Sequence, residues 1–518
     1  MKDLKSLTVP PGGYTYLVEK LDWGYRVVDR EGSVVYTESD SNHAENAIQC
    51  AIDNLPSGGG KVLLSEGNYN LSNKITIASN SILSGCGYST VLNVPDLADA
   101  IALSSGSCLT DVKISGTAGG SYYRVSAGAD SIIQRVWIDG GGGIDQAGDN
   151  VQINNCRFTN IHRSGDPYAV AIHNYGHSGL FVTDFYIADC DRGIEIEDGA
   201  KNVYVRNGYI LNVPNMAMNV HNHGTPCENV VYSHIYLSNC RNIQCTDQGN
   251  KNKNIHYEYI VTENPSAYIN DFYAEFGSIK HCRLASRTSD VNYLLYVTGS
   301  DIVLYDVVIE EASGWGAIYF ENADNCVVDS CYIGTGGSYG LYLFTSTSKC
   351  KVINNHILNT LRLRGSGHIV KSNSLSNVWL DGATNTVIRD NEGYPTDSFK
   401  ATSQSVEIGT SGAYGNATTV TSLSGIIYAL KVCKIVIGGS FAAGENVTVK
   451  VETNWNSGNT AYVEKTYTAT GTHYLDLDGQ DGLDLWRDSD TCTSIKLYAK
   501  SDQASTSVTV TCDLAGAG

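Results

Sequence analysis

Glu195 and Glu197 stand two positions apart in the segment GIEIED, with His173 in VAIHN before them and Asn219 and His221 in MNVHN after them. Residues two apart on an extended strand project to the same side. The pair therefore shares a face, with carboxyls roughly 6 to 7 Å apart, at the edge of the roughly 6.5 to 9.5 Å window in which an acid and a base invert a glycosidic linkage. Mutual repulsion at that range strengthens one carboxyl's hold on its proton, as a general acid requires. Glu195 and Glu197 are the candidate catalytic pair, and His173, His177, Arg192, Asn219 and His221 are candidate substrate contacts. Tyr168, Tyr175 and His223 lie nearby, with rings able to stack on sugars. The competing reading is plain solvated surface, where most glutamates reside. The sequence contains no CxxC and no Cys/His cluster at zinc spacing, so neither a metal nor a cofactor is expected.

These side chains need an element that repeats. Segments beginning at Leu180, Val203, Val230, Ile255, Ile279, Ile302, Cys326 and Cys350 share one alternating apolar and polar pattern, at steps that subtraction puts between 23 and 27 residues. A second short strand follows each, as in GIEIED, MNVHN and AIYFEN. Alternation rather than helical spacing, at this period, predicts a β-solenoid with one coil per repeat, in which stacking buries a face that no coil buries alone. Within VAIHN, GIEIED, MNVHN and NIQCTD, Ile172, Ile194, Met218 and Ile243 then point inward, while His173, Glu195, Glu197, Asn219 and His221 point outward. Asn174, Asp198, Asn222 and Asp247 at the strand ends are expected to be structural, since Asn and Asp tolerate left-handed corners. Cys326 and Cys350 open two successive coils and read as buried, reduced core residues. Shorter steps at Ile369 and Thr386 predict a taper near Tyr394.

Flanking segments differ. YTYLVEK, YRVVDR and VVYTES read as a small β-meander over 1–41, and HAENAIQCAIDNLPSGGG as an amphipathic helix that caps the first coil, with Ala44, Ile48, Ala51 and Ile52 on one face. Capping helix and solenoid are assigned to 42–397, and the longer strands of 398–518 to a C-terminal β-sandwich. A net charge of −19 argues against nucleic acid and anionic membranes as partners, no apolar run is long enough to insert in a membrane, and MKDLKSLTVPPGG shows no recognisable signal peptide.

The passage GGGKVLLSEGNYNLSNKITIASNSILSGCGYSTVL resembles the opening of the pectate-lyase-like superfamily, which includes polygalacturonases and many viral tailspikes. The resemblance extends over about residues 42–395. It implies an all-β protein built on a right-handed parallel β-helix. It also implies a tailspike-like or cell-surface protein that engages a polysaccharide, located on a virion or outside cells, and assembled as a homotrimer. Glycan depolymerisation by inverting hydrolysis is the leading chemistry, a non-catalytic glycan-binding adhesin or structural fibre the alternative, and a third is a polysaccharide lyase with Arg192 as base beside Asp189, Asp191, Glu195 and Glu197, in the manner of the calcium-binding acids of pectate lyases. The ordered Asn-x-Asp, Asp-Asp, Gly-His-Gly and Arg-x-Lys elements of polygalacturonase-type hydrolases are not recognisable here, where Gly176-His177-Ser178-Gly179 precedes the carboxylates. Their roles are therefore not transferred to these residues.

Overall fold

The computed structural model describes residues 13–517 except 95–98, 117–122, 164–168, 242, 248, 265–269, 286–292, 312–313, 382, 385, 390, 392–399, 421–428, 456–457, 459 and 477–491. The chain is 61% strand and 3% helix. It divides into two units, Met1–Leu341 and Tyr342–Gly518.

The first unit opens with an antiparallel meander, Tyr16–Leu21, Gly24–Asp29 and Val34–Glu38, whose first strand also pairs in parallel with Lys61–Leu64 of the first coil. The helix Ala44–Asp53 buries the predicted face of Ala44, Ile48, Ala51 and Ile52. Gln49 holds both backbone groups of Thr76, its Oε1 accepting at 2.9 Å and its Nε2 donating at 3.1 Å. The side chain thus supplies one rung of a missing strand, and the coil edge is covered rather than left open to another sheet.

From there the chain winds in parallel ladders. Ile101, Val125, Ile144, Ile172, Ile194, Met218 and Ile243 stack rung on rung along one wall. Ile153, Val182, Val205, Tyr232, Tyr257, Ile279 and Leu304 stack along another. The predicted period holds except at Ile279, which pairs with Tyr257 rather than Ile255. That slip of two keeps every side chain on its own face, which is why the alternation did not register it.

The corners differ from expectation. Of Asn174, Asp198, Asn222 and Asp247, only Asp198 has a positive φ, at 38°. Asn174 stays extended, and its amide brackets the next turn by donating to the His177 carbonyl and accepting the His177 N–H. Left-handed residues fall instead inside the long strands, as at Asp184 and Asn207, and just before cysteines, as at Asn155. Asn155, Asp189, Asn239, His281 and Ser330 each have a φ between 52° and 56° and are followed by Cys156, Cys190, Cys240, Cys282 and Cys331. Each thiol donates to the carbonyl two residues back, at 3.1–3.3 Å. Cysteine here is a small core residue that also satisfies the corner's carbonyl. Every cysteine whose side chain is described is a free thiol.

The second unit contains tighter coils, Lys351–Ile353, Ile369–Lys371 and Val387–Arg389, threaded by an Asn355, Asn373 and Asn391 amide ladder at a spacing of 18 residues. It also contains a four-stranded antiparallel sheet and a five-stranded mixed sheet, in which Ile408–Gly409 pairs in parallel with Cys492–Ser501, and the two share one apolar cluster including Ile435, Val449, Leu497 and Val510. No described helix in either unit is long and apolar enough to cross a membrane.

Candidate active site

The strands Ile144–Gln146, Val170–Tyr175, Arg192–Glu197, Met216–His221 and Ile243–Thr246 lie side by side in parallel. With their isoleucines and Met218 fixed in the core, alternation turns the next residues outward. Register places Asp145, His173, Glu195, Asn219 and Gln244 in one outward column, and Tyr175, Glu197, His221 and Thr246 in the next.

Two hydrogen-bonded chains cross these columns. His173 bridges two carboxylates, Nδ1 with Asp145 Oδ1 at 2.8 Å and Nε2 with Glu197 Oε2 at 3.1 Å. Tyr123 stacks on the imidazole with centroids 5.0 Å apart and planes 8° apart. Beside it, Arg192 donates to Glu195 Oε1 at 2.5 Å, and Asn219 Nδ2 donates to the same oxygen at 3.1 Å. Glu195 is 4% exposed and Asn219 2%. Asn219 Oδ1 and the Nε2 of His221 are buried without a hydrogen-bond partner. Orphan groups of this kind are uncommon in folded proteins and suit a ligand hydroxyl.

The charges follow from this geometry. Burial alone draws the His173 pKa down, but the hydrogen bonds to Asp145 and Glu197 outweigh it and lift the ring to about 9. Burial likewise raises the Glu197 carboxyl, and the His173 hydrogen bond and charge reverse this, so the net shift is downward. His221 is pushed down by burial and by neighbouring His223, whose ring lies 4.3 Å away. At neutral pH the pair is an imidazolium and a carboxylate. Oxygen and nitrogen atoms of His173, Glu195 and Glu197 lie within 4.8 Å of one another, the spacing of a cation site. An imidazolium that donates from both nitrogens has no lone pair for a cation, so the donor set fits a proton-transfer site better than a metal site.

His173, Arg192, Glu195, Glu197 and Asn219 are thus brought together, with His221 one coil along and bonded to Thr246 at 2.9 Å. His177 is not part of this group. It sits in the following turn, 3.7 Å from Asp149. Tyr168 lies outside the described residues. The nearest oxygens of Glu195 and Glu197 are within 4.8 Å of each other. Of the acids in the lyase reading, Asp191 binds His162 and the Arg163 amide and Asp189 accepts from Asn212, while Glu195 accepts from Arg192. Asp145 and Tyr123 were not anticipated. Asp145 belongs to the three-residue strand Ile144–Gln146, too short to show alternation, and Tyr123 precedes a strand whose coil carries no site residue.

No family model and no curated protein matches the sequence. Its own ladders decide the architecture, with parallel rungs repeating at one coil per repeat along successive walls. The fold is a parallel β-helix, an all-β solenoid of about 11 turns. Solved structures similar to it include the pre-mature gene product 12 of bacteriophage phi29, at 16% identity over 68% of this chain and 54% of that one, with a TM-score of 0.49. This β-helix protein therefore spans about half the length of that phage protein. Others are a tailspike of E. coli bacteriophage HK620 in complex with a pentasaccharide (11% identity, 96% and 93% coverage, TM-score 0.44) and the tailspike of Pseudomonas phage phi297 (11%, 90% and 91%, TM-score 0.41).

Proposed function

We propose that this β-helix protein is a tailspike-like, polysaccharide-engaging protein of a virion or cell exterior, and that it cleaves its glycan on the outward face around Glu197. The observation that carries this reading is the Asp145–His173–Glu197 relay beside Arg192–Glu195–Asn219, a charged network that packing of the solenoid does not require. His173 and Glu197 share one exchangeable proton between Nε2 and Oε2 and act as an acid-base unit. Glu195, held by Arg192 and Asn219, fixes the second carboxylate beside them. Arg192, the base an elimination would use, is engaged by Glu195, which disfavours the lyase reading.

The same outward column continues to Asp271, Tyr296 and Tyr319, and Tyr296 packs between Tyr273 and Tyr319 at centroid distances of 5.6 and 5.1 Å. Rungs about 4.8 Å apart make this a surface several sugars long, so the substrate is a polymer. The two-sheet segment of the second unit serves as a β-sandwich for attachment or assembly, and the assembly is a homotrimer.

The test is incubation with host and microbial polysaccharides, reading reducing ends, unsaturated products and the anomer released. Reducing ends with inverted configuration support the reading of inverting hydrolysis, and unsaturated ends reverse it in favour of a lyase. A second reading, an adhesin that binds without cutting, is favoured by the near-complete burial of Glu195 and Asn219. It takes over if the same face binds glycan and nothing is released.

A further inference from the structure

A separate groove runs along the back of the coils, on strands that carry none of the residues above. Its volume is about 750 Å³, within the roughly 300 to 1,000 Å³ range of ligand sites. One wall is a column in strict register, Arg157, Tyr186, Tyr209 and Tyr236, one residue per coil. The other wall is the line of left-handed residues Asn155, Asp184, Asn207, His234 and Tyr259.

Two features of this second line stand out physically. Asn155, Asp184 and Asn207 are types that tolerate a positive φ, but His234 and Tyr259 adopt it too, at 55° each, where bulky residues are strained. Those rings stack on each other at 4.5 Å, and Tyr259 stacks on His281 at 4.8 Å. Large rings also remain in water: Tyr209 is 56% exposed, Tyr259 45% and Tyr88 44%. Beside them the amide of Asn207 donates to Asp184 at 3.2 Å, leaving carboxylate and amide groups at the groove floor.

We propose that this groove is a second saccharide site, holding a linear glycan along the solenoid axis, with sugar faces on Tyr209, Tyr236 and Tyr259 and hydroxyls on Asp184 and Asn207. Flat rings with a polar rim, alternating with amides and a carboxylate, match the two surfaces of a sugar, an apolar ring face and a hydroxyl edge. A protein partner would instead call for an interface core depleted of carboxylates, whereas this groove sets the Asp184 carboxylate among its rings. The site stands whether or not the Glu197 face cleaves.

The test is calorimetric titration of the full chain with hexasaccharides of cellulose, amylose, chitin and polygalacturonate. Saturable binding to at least one is expected. Tyr209→Ala and Tyr236→Ala should each weaken it roughly threefold to tenfold, the effect of one aromatic contact. Tyr209→Phe should bind within about twofold of the parent, since the ring is kept, and Trp23→Ala, at an exposed turn of the N-terminal meander, should leave the affinity unchanged. Absence of saturable binding across the panel overturns the proposal, as does parental affinity in both alanine variants. If sedimentation shows that Tyr209→Ala instead breaks an oligomer while glycan affinity holds, the groove is an interface between copies, and the proposal fails.

Discussion

At the residue scale, the chemistry of Glu197 is set by His173, and that dependence has a thermodynamic signature. The ring titrates near 6.5 in an unfolded chain and about 9 in the fold, so its contribution is fully present below about pH 6.5 and is lost as pH rises to about 9. The shift corresponds to on the order of 3 kcal/mol. Melting temperature should therefore fall between pH 6.5 and 9 in the parent, and His173→Gln should flatten that slope. An unchanged slope in the variant would place the proton elsewhere. The paired glutamates and their neighbours were legible because strand alternation aligns i and i+2 residues on consecutive coils. Their charge states were not, since mutual repulsion predicts one raised carboxyl whereas Glu197 is lowered by a histidine that Asp145 also holds. Spacing in sequence carries no record of which neighbour supplies the countercharge.

At the element scale, the coil period and the inward isoleucines could be read directly, because stacking demands one apolar wall per strand. The corners could not, because asparagines occur throughout and only the backbone decides which are left-handed. Asn174 shows the failure, and the cysteines show its correction. Burial pushes the thiols of Cys156, Cys190, Cys282 and Cys331 up to about 12, which leaves them unreactive. A thiol reagent should label Cys86 quickly, half-buried Cys50 slowly, and the core cysteines only after unfolding without reductant. Fast labelling of the core set in the native state would contradict this account of the corners. The left-handed rings make an opposite kind of prediction. Tyr259→Asn places a tolerant residue at a φ of 55°, so thermal stability should hold within about 1 kcal/mol or rise, while glycan affinity of the rear groove falls. Marked destabilisation would mean that stacking with His234 and His281 is structural.

At the scale of the whole molecule, a solenoid divides its surface into walls, and each wall repeats whatever each coil places on it. One wall of this chain presents acid-base groups and the rear groove presents rings, an arrangement suited to a long substrate followed along the axis. The net charge of −19 gives the surface a field that repels polyanions and leaves neutral or cationic glycans favoured. Sedimentation across a wide concentration range should find a trimer, and a monomer throughout would remove the proposed assembly. The central claim is cleavage at Glu197, and its most direct test is release of reducing ends from a polysaccharide panel by the parent and by Glu197→Gln. The account predicts release by the parent, a rate lower by about 10²- to 10⁴-fold in the variant, and glycan binding retained in both. Digestion by Glu197→Gln at the parental rate would contradict it.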